Sequence, residues 1–232
     1  MCGISGAIIR NTASDVYYDL LRESDIRGQD GTGICISREG LLLTTHWECR
    51  AKAVRDFPEL FEGDIIIGQN RLAVFGTGHE NDQPILSDNT ALVHNGNLYD
   101  FEAAFASQPD LERKLSVDSE LILRMFDRRF EEYVRVTPEE FYAADNASAA
   151  LQDVFEHPSL KGNAACLILQ RGMPFITAAS FDKPLLAMSY EHNTYFFSTD
   201  RIARKVFGNA VVEQHAIQLA LNEIKTVHVE RT

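Results

Sequence analysis

The segment "MCGISGAIIR" (residues 1–10) decides the fold that we expect, because it joins a reactive side chain to a buried strand. Residues 4–9 ("ISGAII") form a short apolar run that is typical of a buried strand. Cys2 comes directly before this run, whereas most chain ends are unstructured and chemically inert. Its thiolate form would be a strong nucleophile. The segment therefore predicts a cysteine that a packed sheet holds in place.

The composition predicts a globular chain with an acidic surface. Of the 232 residues, 45% are hydrophobic and 24% are charged, which is enough apolar material for a core. The formal net charge of −12 argues against binding to nucleic acid or to anionic membranes. No run reaches the length of a membrane span, and no signal peptide is recognisable. Four cysteines without CxxC spacing favour free thiols in a reducing cytoplasm, and the scattered histidines suggest no metal site.

The predicted elements run from strands to helices and back to strands. The first strands are predicted over residues 4–9, 33–37, 41–45, 64–73 and 90–97, with a helix over 14–24 that Ser14 would cap. Helices follow over 116–126 and 137–155, the second with a capping residue and a proline at its start. Strands over 163–170, 174–180, 184–190 and 193–199 are spaced like an antiparallel meander and precede a helix over 200–207. Helices outside two stacked sheets would cover both strand sets, in one domain over residues 1–232.

Five short segments contain more glycine and polar residues than strands or turns require. They are "MCGISG" (1–6), "RGQDGTG" (27–33), "GQNRLA" (68–73), "HNGNLYD" (94–100) and "VDSE" (117–120). In this order and spacing they closely resemble the class II glutamine amidotransferases, a branch of the N-terminal-nucleophile (Ntn) hydrolases. The likeness extends through the closing strands and so spans nearly the whole chain. The resemblance implies an α+β fold, namely a four-layer αββα sandwich with two mostly antiparallel sheets.

The resemblance also implies a set of catalytic residues. Cys2 would become the N-terminal residue once Met1 is removed, and its α-amine, with an ordinary pKa of roughly 8, would accept the thiol proton and return it to departing ammonia. Asn95 and Gly96 would form an oxyanion hole, and Arg27 would lie near the nucleophile. The plainer alternatives are a buried structural cysteine, which the other four segments argue against, and an Asn-Gly hairpin turn, which is compatible with the oxyanion hole.

A second set of residues would bind the substrate. The resemblance assigns the α-carboxylate of free glutamine to Arg71 and its α-ammonium to Asp118. A surface ion pair and a residue favoured at a helix N-terminus are the plainer interpretations of these two. Gln83 falls where the family often lines the substrate loop. Val74 and Phe75 replace a more polar pair, and their backbone groups would contact the substrate.

The implied activity is hydrolysis of L-glutamine to glutamate and ammonia through a thioester on Cys2, with neither cofactor nor metal. Since the sequence ends at Thr232 without a nucleotide-binding loop, we expect a stand-alone glutaminase domain that supplies ammonia to a separate synthetase or transferase subunit. Two alternatives stay open. One is a related Ntn amidohydrolase acting on a γ-glutamyl or other amide, which Val74 and Phe75 motivate. The other is a catalytically silent regulatory module of the same fold.

Overall fold

The computed structural model describes residues 1–11, 15–74, 76, 78–139, 142–219 and 223–228. Its strands are β1 (Gly3–Ile8), β2 (Gly31–Arg38), β3 (Leu41–Trp47), β4 (Ile65–Arg71), β5 (Ile85–Leu86), β6 (Thr90–Tyr99), β7 (Lys161–Gln170), β8 (Phe175–Phe181), β9 (Leu186–Tyr190), β10 (Asn193–Phe197), β11 (Ala216–Gln218) and β12 (Glu223–His228). Its α-helices are α1 (Asp15–Glu23), α2 (Phe101–Ala106), α3 (Ser119–Val136), α4 (Ala143–Glu156), α5 (Asp200–Phe207) and α6 (Asn209–His215). None of these described helices is both long and apolar enough to cross a lipid bilayer.

The described strands form two antiparallel sheets. The seven-stranded sheet has the order β11-β9-β10-β1-β4-β2-β3, and the five-stranded sheet has the order β12-β8-β7-β6-β5. β1 lies in the middle of the larger sheet, with Gly3 opposite Asn70 on β4 and Ala7 opposite Tyr195 on β10. Neighbouring strands therefore hold the first predicted strand from both sides.

Three apolar layers join the sheets and the helices. The layer between the sheets contains Ile4 of β1 and Leu167 of β7. Side chains alternate along a strand, so Ala7 points to the opposite face and packs in the cluster that contains Leu20 of α1. On the far side, α3 and α4 cover the five-stranded sheet through a cluster that contains Phe126. This helix–sheet–sheet–helix order confirms the predicted αββα sandwich.

The predicted meander of the four closing strands is wrong. β7 and β8 pair in the five-stranded sheet, whereas β9 and β10 pair in the seven-stranded sheet. The chain crosses between the sheets after β8, and Leu185 packs in the layer between them. Strands have the same period of two in either sheet, so spacing alone could not reveal the crossing.

Helix α3 is longer than the sequence pattern predicted. It begins at Ser119 and continues past residue 126 to Val136. Phe130 stacks on Phe126 one turn earlier, at a centroid distance of 5.8 Å, and this contact extends the buried face. The later turns are mostly charged, which hid the continuation of the helix from a search for apolar spacing.

Helix α4 begins later than predicted. Thr137 ends α3 instead of starting the next helix, and its N–H donates to the Tyr133 carbonyl at 2.8 Å. The helix itself starts at Ala143. Ser14, the predicted cap of α1, and residues 140–141 lie outside the described residues. The elements α2, α6, β5, β11 and β12 were not predicted; β5 and β11, with two and three residues, are too short to show a periodic pattern.

Candidate functional site

A small cavity of about 80 Å³ opens at one edge of the layer between the two sheets. It is lined by Met1, Cys2, Gln69, Arg71, Leu72, Val74, Gln83, His94, Asn95, Gly96, Asn97, Val117, Asp118, Ser119 and Lys183. These residues come from both sheets, from the start of α3 and from the segment after β8. The cavity therefore gathers parts of the chain that are far apart in sequence.

The alternation of side chains along the strands explains why polar residues from different strands line one cavity. On β1 the inward row that contains Ile4 begins at Cys2. On β4 the inward row ends in Gln69 and Arg71, and on β6 it passes through Asn95. Each row is apolar deep between the sheets and polar at the same edge, so the polar ends meet there.

The sulfur of Cys2 lies against the backbone of Leu72. The Leu72 N–H donates to Sγ at 3.4 Å, and the thiol donates to the Leu72 carbonyl at 3.6 Å. Burial raises the pKa of the Cys2 thiol, although the Leu72 hydrogen bond and the positive charges of the chain terminus and Arg71 act against this effect. The neutral thiol is therefore the resting form, and nucleophilic attack by this sulfur requires a base.

One turn before β2 supports both Cys2 and Arg71. The Arg27 Nε donates to the Cys2 carbonyl at 2.8 Å. The Asp30 N–H donates to the Arg71 carbonyl at 3.0 Å. A Cβ atom on Gly28 would collide with the Arg71 backbone, so glycine is required for this close approach. Arg27 thus contacts Cys2 through the backbone carbonyl of that residue and does not line the cavity.

Asn95 and Gly96 lie inside β6, opposite Ala165 and Ala164 of β7. The hairpin turn that was the alternative for this pair is therefore wrong. The Asn95 Nδ2 is buried and has no hydrogen-bond partner among the described residues. A buried donor without a partner costs free energy, which a hydrogen-bond acceptor placed in the cavity would offset. A Cβ atom on Gly96 would collide with the Asn163 carbonyl, so the close approach of β6 and β7 at this point requires glycine.

A buried hydrogen-bond network lies behind the cavity. The Gln69 Nε2 donates to the Gln83 Oε1 at 2.7 Å, and the Gln83 Nε2 donates to the Ser119 Oγ at 2.8 Å. The His94 Nδ1 lies 2.9 Å from the same Ser119 Oγ. Burial lowers the pKa of His94 despite the nearby Asp118 carboxylate, so the imidazole is neutral at pH 7. The network fixes the wall of the cavity without adding a cation to it.

Asp118 directly precedes α3 and faces the cavity. Its Oδ2 accepts the Leu98 N–H at 2.8 Å, and its Oδ1 accepts the Ser119 hydroxyl at 3.3 Å. The side chain is 8% exposed and lies 3.8 Å from the His94 Nδ1. Two fixed hydrogen bonds leave lone pairs on both oxygens, so the carboxylate has acceptor capacity for an incoming ammonium group.

Arg71 lines the cavity, but groups of this chain already hold its guanidinium. The Nη1 lies 2.5 Å from the Asp82 Oδ1, and both side chains are almost fully buried. The carbonyl groups of Gly76 and Gly78 also accept from the guanidinium. The other Asp82 oxygen lies 2.9 Å from the His79 Nδ1.

The structure brings most of the predicted site residues to this one cavity. Those that line it are Cys2, Arg71, Val74, Gln83, Asn95, Gly96 and Asp118. Val74 is 59% exposed. Phe75 lies outside the described residues. The roles assigned to these side chains remain predictions.

Sequence reasoning missed several residues of the site. His94 and Ser119 lie within the segments 94–100 and 117–120, whose composition was the signal for them, but no role was assigned to either residue. Asp82 and Lys183 carried no signal, because only the tertiary fold brings them to Arg71 and to the cavity. Among the described residues, no group of three or more His, Cys, Asp or Glu side chains is arranged to hold a metal ion.

Comparison with curated proteins gives relatives over most of the chain, although no protein-family model matches it. The glutamine–fructose-6-phosphate aminotransferase (isomerizing) of Mesorhizobium japonicum is 27% identical over 226 residues, which is 91% of this chain and 33% of the relative. The enzyme of the same name from Brucella abortus is 28% identical over 216 residues, with the same coverage of 91% and 33%. The chain therefore spans about a third of the length of these relatives.

Two solved structures share the fold over nearly the whole chain. The glutamine phosphoribosylpyrophosphate (PRPP) amidotransferase from B. subtilis, complexed with ADP and GMP, matches with a TM-score of 0.68 at 24% identity. A structure described as the allosteric regulatory enzyme of purine biosynthesis matches with a TM-score of 0.69 at 22% identity. Each match covers 98% of this chain and 49% of the other. In sequence and in fold, the chain is similar over most of its length to the class II glutamine amidotransferases of the Ntn type.

Proposed function

We propose that this chain hydrolyses the side-chain amide of L-glutamine, with Cys2 as the nucleophile. The observation that carries the proposal is the buried Asn95 Nδ2, which has no partner in the described part of the chain, on a residue that lines the same cavity as Cys2. Hydrolysis of a carboxamide places negative charge on the carbonyl oxygen, and a preorganised donor stabilises that charge. The backbone at Gly96 lies beside Asn95 and supplies the second donor in this proposal.

The reaction follows from these groups in two steps. In the first, the Cys2 sulfur bonds to the amide carbon, the carbon–nitrogen bond breaks, and ammonia leaves with the thiol proton. In the second, water attacks the resulting thioester, the carbon–sulfur bond breaks, and glutamate and the free thiol are formed. Asn95 holds the oxyanion in both steps, and Asp118 pairs with the α-ammonium of the substrate.

The proposed base is the α-amine of Cys2 itself. Burial raises the pKa of the thiol, so a nearby group must take its proton. Removal of Met1 would place a free amine on the same residue as the sulfur, with an ordinary pKa of roughly 8. Met1 is 64% exposed, which leaves it accessible to an aminopeptidase.

Intact mass before and after treatment with a diazoketone analogue of glutamine tests this assignment. We expect the mass of a chain without Met1 and one added label, which peptide mapping assigns to Cys2. Cys35 and Cys166 are buried, and burial raises their pKa values to about 11 and about 12, so they should not react. Cys49 is half-buried, and a Cys49→Ser chain is the matched control. Unchanged labelling of a Cys2→Ala chain would contradict the proposal.

We also propose that the ammonia passes to an acceptor-activating synthetase or transferase. The names of the relatives couple glutamine to fructose 6-phosphate or to phosphoribosylpyrophosphate, and this chain matches only a third to a half of those proteins. A separate partner subunit in the cytoplasm is the form that we propose here. The expected result is slow ammonia release by the purified chain and faster release with its partner. Full turnover by the chain alone would argue for a simple amidohydrolase.

The catalytically silent module remains a competing candidate. A silent module would bind glutamine without releasing ammonia, and Cys2→Ala would then change nothing. An ammonia assay on the wild-type chain and on this variant separates the two candidates. The Arg71–Asp82 ion pair favours the candidate that acts on other amides, because the guanidinium is already bound to a carboxylate of this chain.

A further inference from the structure

The guanidinium of Arg71 is already bound to a carboxylate of this chain. The two side chains of the Arg71–Asp82 ion pair are 6% and 2% exposed, and their closest atoms are 2.5 Å apart. Carbonyl groups of Gly76 and Gly78 accept further hydrogen bonds from the same guanidinium. Because the pair is buried, solvent and salt screen the attraction between its two charges very little. Arg71 therefore presents a neutralised ion pair to the cavity.

Asp82 is held in place from two further sides. Its Oδ2 lies 2.9 Å from the His79 Nδ1. The carboxylate also lies directly over Gly31 of β2, where an added Cβ atom would be 3.0 Å from the Oδ2. Gly31 is opposite Arg71 in the pairing of β2 with β4, so the slot for the carboxylate is built into the sheet. Asp82 cannot leave this slot without opening packed structure.

An α-carboxylate of a substrate would have to share Arg71 with Asp82. Like charges at close range disfavour this arrangement, and displacing Asp82 would leave a buried carboxylate without its partner. The ion pair does not change what Asn95 and Asp118 can bind. Among the described hydrogen bonds and ion pairs, neither of them contacts Arg71 or Asp82. The cavity therefore recognises the amide and the ammonium of a substrate better than its carboxylate.

We infer that Asp82 is a specificity-determining residue, because its ion pair with the Arg71 guanidinium keeps that group from binding a substrate carboxylate. It thereby extends the substrate class to γ-carboxamides that keep a free α-ammonium but carry a neutral group in place of the α-carboxylate. The inference rests on the proposed amide hydrolysis at Cys2. Asp82 acts through Arg71 and is a positioning residue, since it does not itself line the cavity.

Ammonia release from L-glutamine and from its α-N-methylamide tests the inference. Each compound has one primary amide, so the ammonia has a single source. For the wild-type chain we expect kcat/KM values within about tenfold of each other. Asp82→Asn keeps the shape of the side chain and removes its charge. It should raise kcat/KM for glutamine about tenfold or more, as a charge-assisted contact is gained, and leave the N-methylamide unchanged. In the double variant that combines Arg71→Met with Asp82→Asn, the increase in kcat/KM for glutamine should be lost.

Asp64→Asn is the matched control. Asp64 forms a second Arg–Asp pair with Arg38 at 2.6 Å, its side chain is 3% exposed, and it lies outside the cavity. This substitution should leave the ratio of the two kcat/KM values unchanged. An equal effect of Asp82→Asn on both compounds would show that Asp82 has only a structural role and would overturn the inference. If Asp82→Asn does not fold, the wild-type ratio decides, and a preference for glutamine of about a hundredfold or more contradicts the inference.

A binding measurement separates this inference from the proposed function. Calorimetry of L-glutamine with the Cys2→Ala chain and with the Cys2→Ala, Asp82→Asn chain needs no turnover. The second chain should bind glutamine about tenfold more tightly. Equal affinity would overturn the inference even if Cys2 proves to be the nucleophile. Absence of ammonia release from either compound by the wild-type chain would instead defeat the proposed function, whatever the binding result.

Discussion

Asn95 carries a buried amide nitrogen that has no partner among the described residues. Folding leaves this donor unsatisfied at a free-energy cost that a carbonyl oxygen in the cavity would remove. Asn95 is part of β6, and the pairing with Ala165 of β7 holds its backbone in place. A donor fixed in this way needs no reorganisation when charge develops on a substrate.

Asn95→Ala should therefore lower kcat for ammonia release by about 10² to 10³, with a much smaller change in KM. Loss of a donor that acts mainly in the transition state has this signature. Steady-state kinetics on glutamine measures it, and circular dichroism checks that the variant is folded. An equal loss in kcat and affinity would indicate a role in ground-state binding.

His79 makes a pH-dependent contribution to the stability of the fold. Its hydrogen bond to Asp82 raises the pKa of His79, and Glu48 acts in the same direction while Arg71 opposes it. A histidine whose folded pKa is raised stabilises the fold fully below its unfolded pKa, and the contribution is lost as pH rises through the folded value. The stability difference between the wild type and His79→Gln should therefore be larger at about pH 5.5 than at about pH 8.5, on either side of the ordinary pKa of roughly 6.5. Urea unfolding at both pH values measures it, and equal differences would contradict this account.

At the scale of elements, the turn before β2 couples the ends of β1 and β4. Arg27 contacts the Cys2 backbone, and Gly28 packs directly on the Arg71 backbone. The neighbour of Gly28 is main chain, which cannot move aside as a flexible side chain would. The two strand ends next to Cys2 and at Arg71 therefore keep a fixed separation.

Gly28→Ala should destabilise the chain by about 1–3 kcal/mol, because the added methyl group overpacks this contact. Ammonia release should fall as well, since the ends of β1 and β4 must separate. Gln29→Ala changes the next residue of the same turn, whose side chain is exposed, and should alter neither property. Denaturant unfolding of the two variants gives the comparison, and equal stability would mean that the turn adapts.

At the scale of the whole molecule, the layer between the sheets sets the distance from Cys2 to the Asn95 side chain, the proposed nucleophile and oxyanion donor. Cys2 precedes a strand of one sheet and Asn95 lies on the other, so their separation depends on how the sheets pack. Leu167 fills this layer, whereas Leu20 fills the outer layer beneath α1, and both side chains are fully buried.

Leu167→Ala and Leu20→Ala should each cost about 2–5 kcal/mol of stability. Under conditions where both variants are fully folded, only Leu167→Ala should also lower kcat. The reason is that the structure relaxes around the void left by the leucine side chain, which shifts one sheet against the other. Thermal unfolding and ammonia release at low temperature test this pair. A comparable loss of kcat in both variants would show that the site responds to overall stability and not to sheet spacing.

Much of the architecture could be predicted from local patterns. The first strand, the hairpin of β2 and β3, and the last predicted helix (200–207) depend on neighbours in sequence, and their approximate positions were confirmed. The errors arose where a distant contact decided the outcome. Thr137 was predicted to start a helix, but packing carried α3 up to that residue. The closing strands were assigned to one sheet, but they are divided between two.

The sequence by itself determined which candidate site residues the chain has and in which order they come. They are a cysteine before a buried strand, an arginine, an Asn-Gly pair and an aspartate. These signals are local, because a residue type and its immediate neighbours define them. Only the tertiary structure decided that Asn95 lies in a strand with a buried amide nitrogen that no described residue pairs with, and that Asp82 forms an ion pair with Arg71. The physical reason is that burial and ion pairing depend on which strands and loops meet in space, and spacing along the chain does not specify those meetings.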